Sequence, residues 1–439
     1  MSLIEECTSK LREKVSFYLI SGETQLLDND HKYPFDTKEL PIMCNFAEKE
    51  AKKSFQAYQT GYRSIVFLHN DQWFKAKGIG IPTGISRPIF HKGKILSYWL
   101  REPQIGSGAP IIWGFSTCED AEKEISWMKA LKEQGLSEVD PVGIGIYKNV
   151  SVLDFDDRIS LFRHLDSSDL ESILKRFSEH AKQATACCVF CHEPSDIRVD
   201  EIFYALMFPK VEKVVNKDDC RDYVKWLGSS CAYNLRQFHN HGLLHGTIPK
   251  SGGVFTNSHF CNHLVGETET WMTDFHMVEK TTDESRMKRE VWCLLHVMNP
   301  LEPSVEMAPP SGFPFELLDQ RSSMGSVTGP IESVLSVSTP FGTPVSRFES
   351  TLRSKFQEEL AMELEKGVES GYREDIFEIE SKVKKEMLRK IVQIKETMWK
   401  MYNLPKGMQR GIDYVQGTIR SRSIPKKELD HILRTLQES

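Results

Sequence analysis

Asn262 and Asp274 stand twelve residues apart, an amide and a carboxylate that bracket a short apolar segment. Both present hard oxygens, the donor type that Mg2+ prefers. Between them His263-Leu264-Val265-Gly266 and then Trp271-Met272-Thr273 predict strand, turn, strand, with an acid at the end of the second strand. Thr256-Asn257-Ser258-His259-Phe260-Cys261 leads into Asn262 as a loop. Far upstream, Lys77 lies on a β-prone segment and Glu124 in an amphipathic one. A lysine suits phosphate oxygens, and a helix carboxylate can orient it. These are the parts that ATP-dependent group transfer requires: a cation on the phosphates, oxygens on Mg2+ and a group that positions the acceptor.

The weak point of the set is its base. No acid that could take an acceptor's proton occurs between Gly242 and Gly266. Asn257 and His259 are the catalytic candidates, and of the two only His259 can accept a proton. Glu267 and Glu269 fall in the expected hairpin turn. The competing reading is a hairpin whose Asn and Asp residues make turns and nothing more. For Lys77 it is an ordinary exposed strand lysine.

The elements that must position these groups are legible in outline. Ser64–Leu68 and Gln72–Lys77 predict a hairpin turned at His69-Asn70-Asp71, and Gly93 predicts another ahead of residues 94–100. Thr117 or Ser116 is placed to cap a helix over Cys118–Gln134 that stops at Gly135. Its Ala121, Ile125, Met128 and Leu131 share one face. Residues 141–152 and 201–208 read as strands. Residues 46–58, 166–184 and 219–240 read as helices, as does 346–402 with a break near Gly371. The last residues turn helical again after Pro425.

The loop is similar to the H-G-D-x-H-x-x-N loop of the protein-kinase-like superfamily, particularly its small-molecule and atypical branches. Thr256–Val265 matches it with Asn257 at the catalytic Asp, His259 at the loop His and Asn262 at the metal-binding Asn, and Asp274 falls at the metal-binding Asp. A His245-Gly246 pair lies upstream, so either the loop is extended or only one of the two segments aligns. Lys77-Gly78-Ile79-Gly80 with Ser86-Arg87 resembles the K-G-x-G…S-R segment of the selenoprotein O family, whose members are pseudokinase-fold proteins that transfer AMP from ATP bound in a flipped orientation. That family's R-E pair is matched by Arg101-Glu102, but Pro103 follows where the family continues as helix. Its catalytic Asp-Asn pair corresponds to Cys261-Asn262. The resemblance covers about residues 72–150 and 225–278.

The resemblance implies an α+β, bilobal protein-kinase-like fold, with a small antiparallel-sheet N-lobe, a mostly helical C-lobe and a C-terminal helical extension. It implies ATP and Mg2+ as cofactors. Lys77 would meet phosphate, Glu124 (or else Glu122 or Glu102) would orient Lys77, and Asn262 and Asp274 would hold the metal. The activity implied is phosphoryl or adenylyl transfer to a protein or small-molecule acceptor. The alternative is a silent pseudokinase that acts as a scaffold through its C-terminal helices. The expected divisions are an extension over 1–60, an N-lobe over 61–210 with a helical insertion, a C-lobe core over 211–300, a Pro/Ser/Gly-rich linker over 301–345 and a helical region over 346–439.

The remaining features add limits. With 439 residues, 40% hydrophobic and 27% charged, the chain has the composition of a globular protein of more than one domain. A formal charge of -6 gives no general pull toward nucleic acid. Neither a secretory leader nor an apolar run of membrane-spanning length is found, which predicts a cytoplasmic protein with its ten cysteines reduced. Cys188-Val189-Phe190-Cys191-His192 matches a haem-attachment pattern, but that chemistry belongs to exported proteins. His239, His241, His245, His259, His263 and His276 crowd one stretch without the helical spacing of a zinc hydrolase.

Overall fold

The computed structural model describes the chain apart from residues 1, 13, 28–31, 44–52, 61–62, 81–85, 92–93, 101–110, 155–181, 209, 247–255, 297–300, 302–353, 403–433, 435–436 and 438–439. The fold is α+β. Its described residues form two compact units, one from Arg12–Pro194, the other from Met1–Leu11, Ser195–Gly329 and Pro344–Ser439. The expectations for residues 301–345, for the segment after Pro425, for Arg101-Glu102 and for most of the helix over 166–184 fall outside the described residues. No described helix is long and apolar enough to cross a membrane.

After helix α1 (Leu3–Leu11), which belongs to the second unit, the first unit is built on strands. They are β1 (Lys14–Leu26), β2 (Glu39–Ile42), β3 (Ser54–Gln59), β4 (Ser64–His69), β5 (Gln72–Lys77), β6 (Ser86–His91), β7 (Lys94–Leu100), β8 (Ile111–Trp113) and β9 (Ser116–Thr117). Helix α2 (Cys118–Glu133) follows, then the long strands β10 (Asp140–Asp154) and β11 (Lys182–Glu193). All eleven join one mostly antiparallel sheet. The order β1-β3-β4-β5-β11-β10 returns to β1, because Gly22–Leu26 of β1 pairs with β10 while Lys14–Tyr18 pairs with β3. The sheet therefore closes into a ring. Alternation along each strand sends Phe17, Leu19, Phe74, Ala76, Val142, Cys188 and Phe190 into a single core. The β4–β5 turn is made by Asn70 and Asp71, both at positive φ (50° and 60°), the conformation a two-residue hairpin demands.

Two expectations are corrected in this unit. Residues 54–59 form β3, not the end of a helix, because ladder bonding to β1 on one side and β4 on the other overrides local propensity. Not all the cysteines are thiols: Cys118 and Cys187 form a disulfide with Cα atoms 5.2 Å apart. Helix α2 begins at Cys118 with Thr117 as N-cap, its Oγ1 accepting from the Asp120 amide at 3.1 Å.

The second unit is mainly helical. It contains α3 (Val199–Leu206), α4 (Lys217–Asn240), the short pairs β12 (Leu243–Leu244) with β15 (Glu279–Lys280) and β13 (His263–Val265) with β14 (Thr270–Met272), α5 (Glu284–His296), α6 (Lys355–Arg373) and α7 (Ser381–Tyr402). The expected strand over 201–208 is helix α3. Val199, Ile202, Phe203 and Leu206 recur at helical spacing and are all buried, a period that emerges only when the segment is taken from Val199. The break expected near Gly371 falls just after it, between Arg373 and Ser381, and Gly371 itself has a packing use. It lets α6 lie against α4: a Cβ there would sit 2.0 Å from the Ser229 carbonyl oxygen, and one at Gly367 would sit 2.2 Å from that of Lys225. Ser354 and Gln357 form a capping box that starts α6, and the Gln357 amide also donates to the Leu206 and Phe208 carbonyls.

Alanine favours a helix over glycine by about 1 kcal/mol, so a free-standing α6 would gain from Gly371→Ala. Against the α4 backbone the same methyl forces the helices apart, and a net loss of about 1–3 kcal/mol is expected from overpacking. Urea denaturation measures it; equal or greater stability in the variant would refute the close packing.

Candidate functional site

Each unit contains one constellation of the sequence-predicted residues. In the first, strand β5 turns Phe74 and Ala76 into the ring core, so Lys75 and Lys77 take the opposite face. Lys77 Nζ lies 2.8 and 2.9 Å from Glu124 Oε1 and Oε2, and Lys75 Nζ lies 2.6 Å from Glu193 Oε1. Lys77 is 5% exposed and Glu124 is 3% exposed. Glu124 shares the buried face of α2 with Ala121, Ile125, Met128 and Leu131, whereas Glu122 is exposed. Helix periodicity thus selects one acid from two near neighbours. Removing one member of such a buried pair leaves an uncompensated charge, at a cost of about 3–5 kcal/mol.

In the second unit the loop ahead of β13 is held by its own side chains. Asn262 Nδ2 donates to Asn257 Oδ1 (2.9 Å) and to the Asn257 carbonyl (3.0 Å). Asn257 Nδ2 in turn donates to the carbonyl of Asp274 at 2.7 Å. An Asp at 257 has no donor for that last bond, so the amide there has a positioning use that a carboxylate cannot fill. With its nitrogen engaged, Asn262 is left with Oδ1 to offer a cation. Asp274 sits at φ 72°, a left-handed conformation uncommon for a residue with a Cβ. It is kept there by its neighbours: its carbonyl also accepts from His245 Nε2 at 3.1 Å, and its carboxylate accepts from His276 Nδ1 at 2.6 Å. His259 is buried in the same loop, with its Nε2 3.4 Å from Asn262 Nδ2. The donor set of Asn262 and Asp274, an amide oxygen and a carboxylate, fits a hard divalent cation.

His245-Gly246 joins this loop although nine of the intervening residues, 247–255, lie outside the described structure. The Asn257 amide donates to the Gly246 carbonyl at 2.7 Å. The two segments that the sequence left as alternatives therefore meet in one extended loop. Their common support was not foreseen. Glu290 on α5, wholly buried, accepts from the backbone amides of His245 (3.0 Å) and Gly246 (2.8 Å), and His239 Nε2 lies 3.0 Å from its Oε2. His239 Nδ1 then meets the Tyr372 hydroxyl on α6 at 2.6 Å. Arg198 adds a further tie through Nη1 to the Cys261 carbonyl at 2.6 Å. No local pattern around Glu290 or Arg198 marks these roles, since their partners are backbone atoms distant in sequence.

The other chemical motifs resolve into structure. Cys188 points into the ring core, whereas Cys191 lies opposite Lys75 on the other face of β11, so the two sulfurs cannot flank one haem. Burial pushes the Cys188 thiol up to about 12. The crowded histidines are engaged in hydrogen bonds: His239 takes Glu290 and Tyr372, His241 the Gln237 carbonyl, His245 the Thr273 and Asp274 carbonyls, His263 the His259 carbonyl, and His276 the Asp274 carboxylate. Burial lowers the pKa of His245 and takes that of His263 down to about 3, so both rings are neutral. Comparison with protein-family models and with curated proteins gives no match for this chain.

Neutral buried histidines make stability depend on pH. The unfolded chain binds protons on these rings near pH 6.5, while folded His263 resists them down to about 3. Their contribution is thus complete above about pH 6.5 and drains away as the pH falls toward 3. The melting temperature should drop across this window, and His263→Asn, which keeps a donor for the His259 carbonyl, should flatten the dependence. An identical slope in parent and variant would exclude His263 as its source.

Proposed function

We propose that this is a nucleotide-binding protein of atypical protein-kinase-like design, which takes ATP together with Mg2+. The observation that carries the reading is the Asn262–Asn257–Asp274 linkage. It fixes two hard-oxygen donors, with Asp274 held in a left-handed backbone conformation by Asn257, His245 and His276. Such rigidity at a loop, where polar side chains would otherwise be solvated, is what positional catalysis and metal recognition need. The Lys77–Glu124 pair supports the reading independently: an ammonium group fixed by a carboxylate is a suitable partner for phosphate oxygens. Bound Mg2+ would neutralise phosphate charge, held by Asn262 and Asp274. The protein's own part is to orient Lys77 through Glu124, to present Asn262 Oδ1 through Asn257, and to hold Asp274 through His245 and His276.

The use made of Asn257 favours the silent, scaffold-like branch of this reading over an active transferase. Both ends of its side chain are engaged in hydrogen bonds, and an amide does not accept a proton at neutral pH. Transfer with a loose transition state depends more on charge and alignment than on a base, so adenylyl or phosphoryl transfer to a protein or small-molecule acceptor is the active branch. In the silent branch, helices α6 and α7 would carry partner binding.

Thermal melting with ATP and Mg2+ tests the common claim. The parent protein should gain several degrees at ligand concentrations well above Kd, and Asp274→Asn and Lys77→Met should each lose that gain relative to their own ligand-free melting temperature. No gain in the parent would refute nucleotide binding. ATP labelled in turn at the α and γ phosphates separates the branches: covalent γ label means phosphoryl transfer, α label adenylyl transfer, and neither the silent protein.

A further inference from the structure

We propose that Cys118 and Cys187 are a thiol–disulfide modification site that sets how firmly the helix bearing Glu124 is held to the strand layer bearing Lys77. For its effect on ligand binding this rests on the nucleotide reading; for its effect on the helix it does not.

The geometry forms a closed circuit. Cys187 lies on β11, opposite Ser116 of β9 and two residues from Val189, which is the register partner of Lys77. Lys77 runs into Gly78, at φ 83°, where a Cβ would sit 3.0 Å from the Cys187 carbonyl oxygen and 2.8 Å from Ser116 Oγ. The backbone beside Lys77 is therefore pressed against Cys187 itself. From Cys187 the disulfide crosses to Cys118, the first residue of α2, and one and a half turns later the same helix delivers Glu124 back to Lys77. The crosslink joins the two arms of the ion pair by a second route. It spans 69 residues of sequence and adds a covalent tie to the β9–β11 pairing, Ser116 with Cys187 and Thr117 with Ala186, that already anchors the start of the helix.

Of the two sulfurs Cys118 is the accessible one and Cys187 is fully buried, so exchange with a solvent thiol enters at Cys118. Cys118 is half-buried and opens helix α2. Cys188 and Cys191 on β11 are as buried as Cys187, with thiols raised by burial, but only Cys187 lies within bonding reach of Cys118. The reagent class is a glutathione-type thiol–disulfide couple. In oxidation, the Cys118 thiolate attacks a sulfur of glutathione disulfide, forming the mixed disulfide and expelling one glutathione thiolate. The Cys187 thiolate then attacks the Cys118 sulfur and expels the second. Two protein thiols have become one disulfide and one glutathione disulfide has become two thiols, the two protons lost by the protein ending on the two glutathione sulfurs. Reduction by an excess of thiol runs the same steps backward.

The test uses the full chain equilibrated with either glutathione disulfide or dithiothreitol. Peptide mapping should find Cys118 linked to Cys187 in the first state only, while Cys188 and Cys191 remain alkylatable thiols after unfolding in both. Amide hydrogen exchange in Cys118–Glu133 should become at least tenfold faster on reduction. Cys118→Ser should exchange like the reduced parent in both buffers, and Cys188→Ser should respond to redox state as the parent does. ATP–Mg2+ affinity should be at least fivefold weaker in the reduced parent. Absence of the linked peptide under oxidising conditions overturns the site, and equal exchange in the two redox states of the parent overturns the coupling. If neither state binds ATP, the nucleotide reading fails while the exchange result still decides the coupling. If ATP binds equally in both states although exchange differs, the redox control of binding is overturned.

Discussion

A carboxylate removed entirely from water has to be met by donors on all sides, and Glu290 is in that position. Its two oxygens take the amides of His245 and Gly246 together with His239. Those two residues in turn supply the imidazole that holds the Asp274 backbone and the carbonyl that receives Asn257. Remove this anion, and three donors would lie stranded in an apolar interior beneath the loop. The arrangement of Asn257, Asn262 and Asp274 thus depends on a residue that none of them touches in sequence. Through His239 and Tyr372 the same anion is also tied to α6, so the C-terminal helical region is part of the loop's support.

The first unit meets the same electrostatic demand in another way. Lys75 and Lys77 occupy the outward face of β5, where alternation would ordinarily place solvated side chains, yet both are buried and each meets a carboxylate from another element. Ion pairs of this kind contribute little net stability when compared with apolar substitutes, but they are intolerant of losing one partner. That intolerance fixes the helix register: one residue's rotation of α2 would bring a neighbour of Glu124 beneath the Lys77 ammonium.

What the sequence disclosed follows the range of the forces involved. Periodicity and capping are local, so the span of α2 and the Asn70-Asp71 hairpin could be read directly, and the cap could be narrowed to Thr117 or Ser116. Glu124 stood beside Glu122 and Glu102 as alternatives, although its place on the buried face of α2 is also a local property. Strand β3 could not be read, since its conformation comes from pairing on both sides with segments distant in the chain. Helix α3 was missed by two residues of phase, the shift that hides Val199 from the pattern. The loop residues Asn257, Asn262 and Asp274 stood out by type and spacing. The bonds that make Asn257 a bridge did not, nor did Glu290, whose partners are main-chain atoms without a sequence signature.

The closure of the strand ring has a consequence for how the chain reaches this state. β1 finds β2 and β3 nearby, but its last residues, Gly22–Leu26, lie against Gly143–Tyr147. During synthesis the amino-terminal strand is made long before the partner that seals it, and until then one edge of the sheet presents unpaired amides and carbonyls. Pairing across so long a stretch carries a large loop-closure entropy and places the ring among slowly folding topologies. Once sealed, the ring has no such edge along that seam, so an early hazard of association becomes a late guarantee against it.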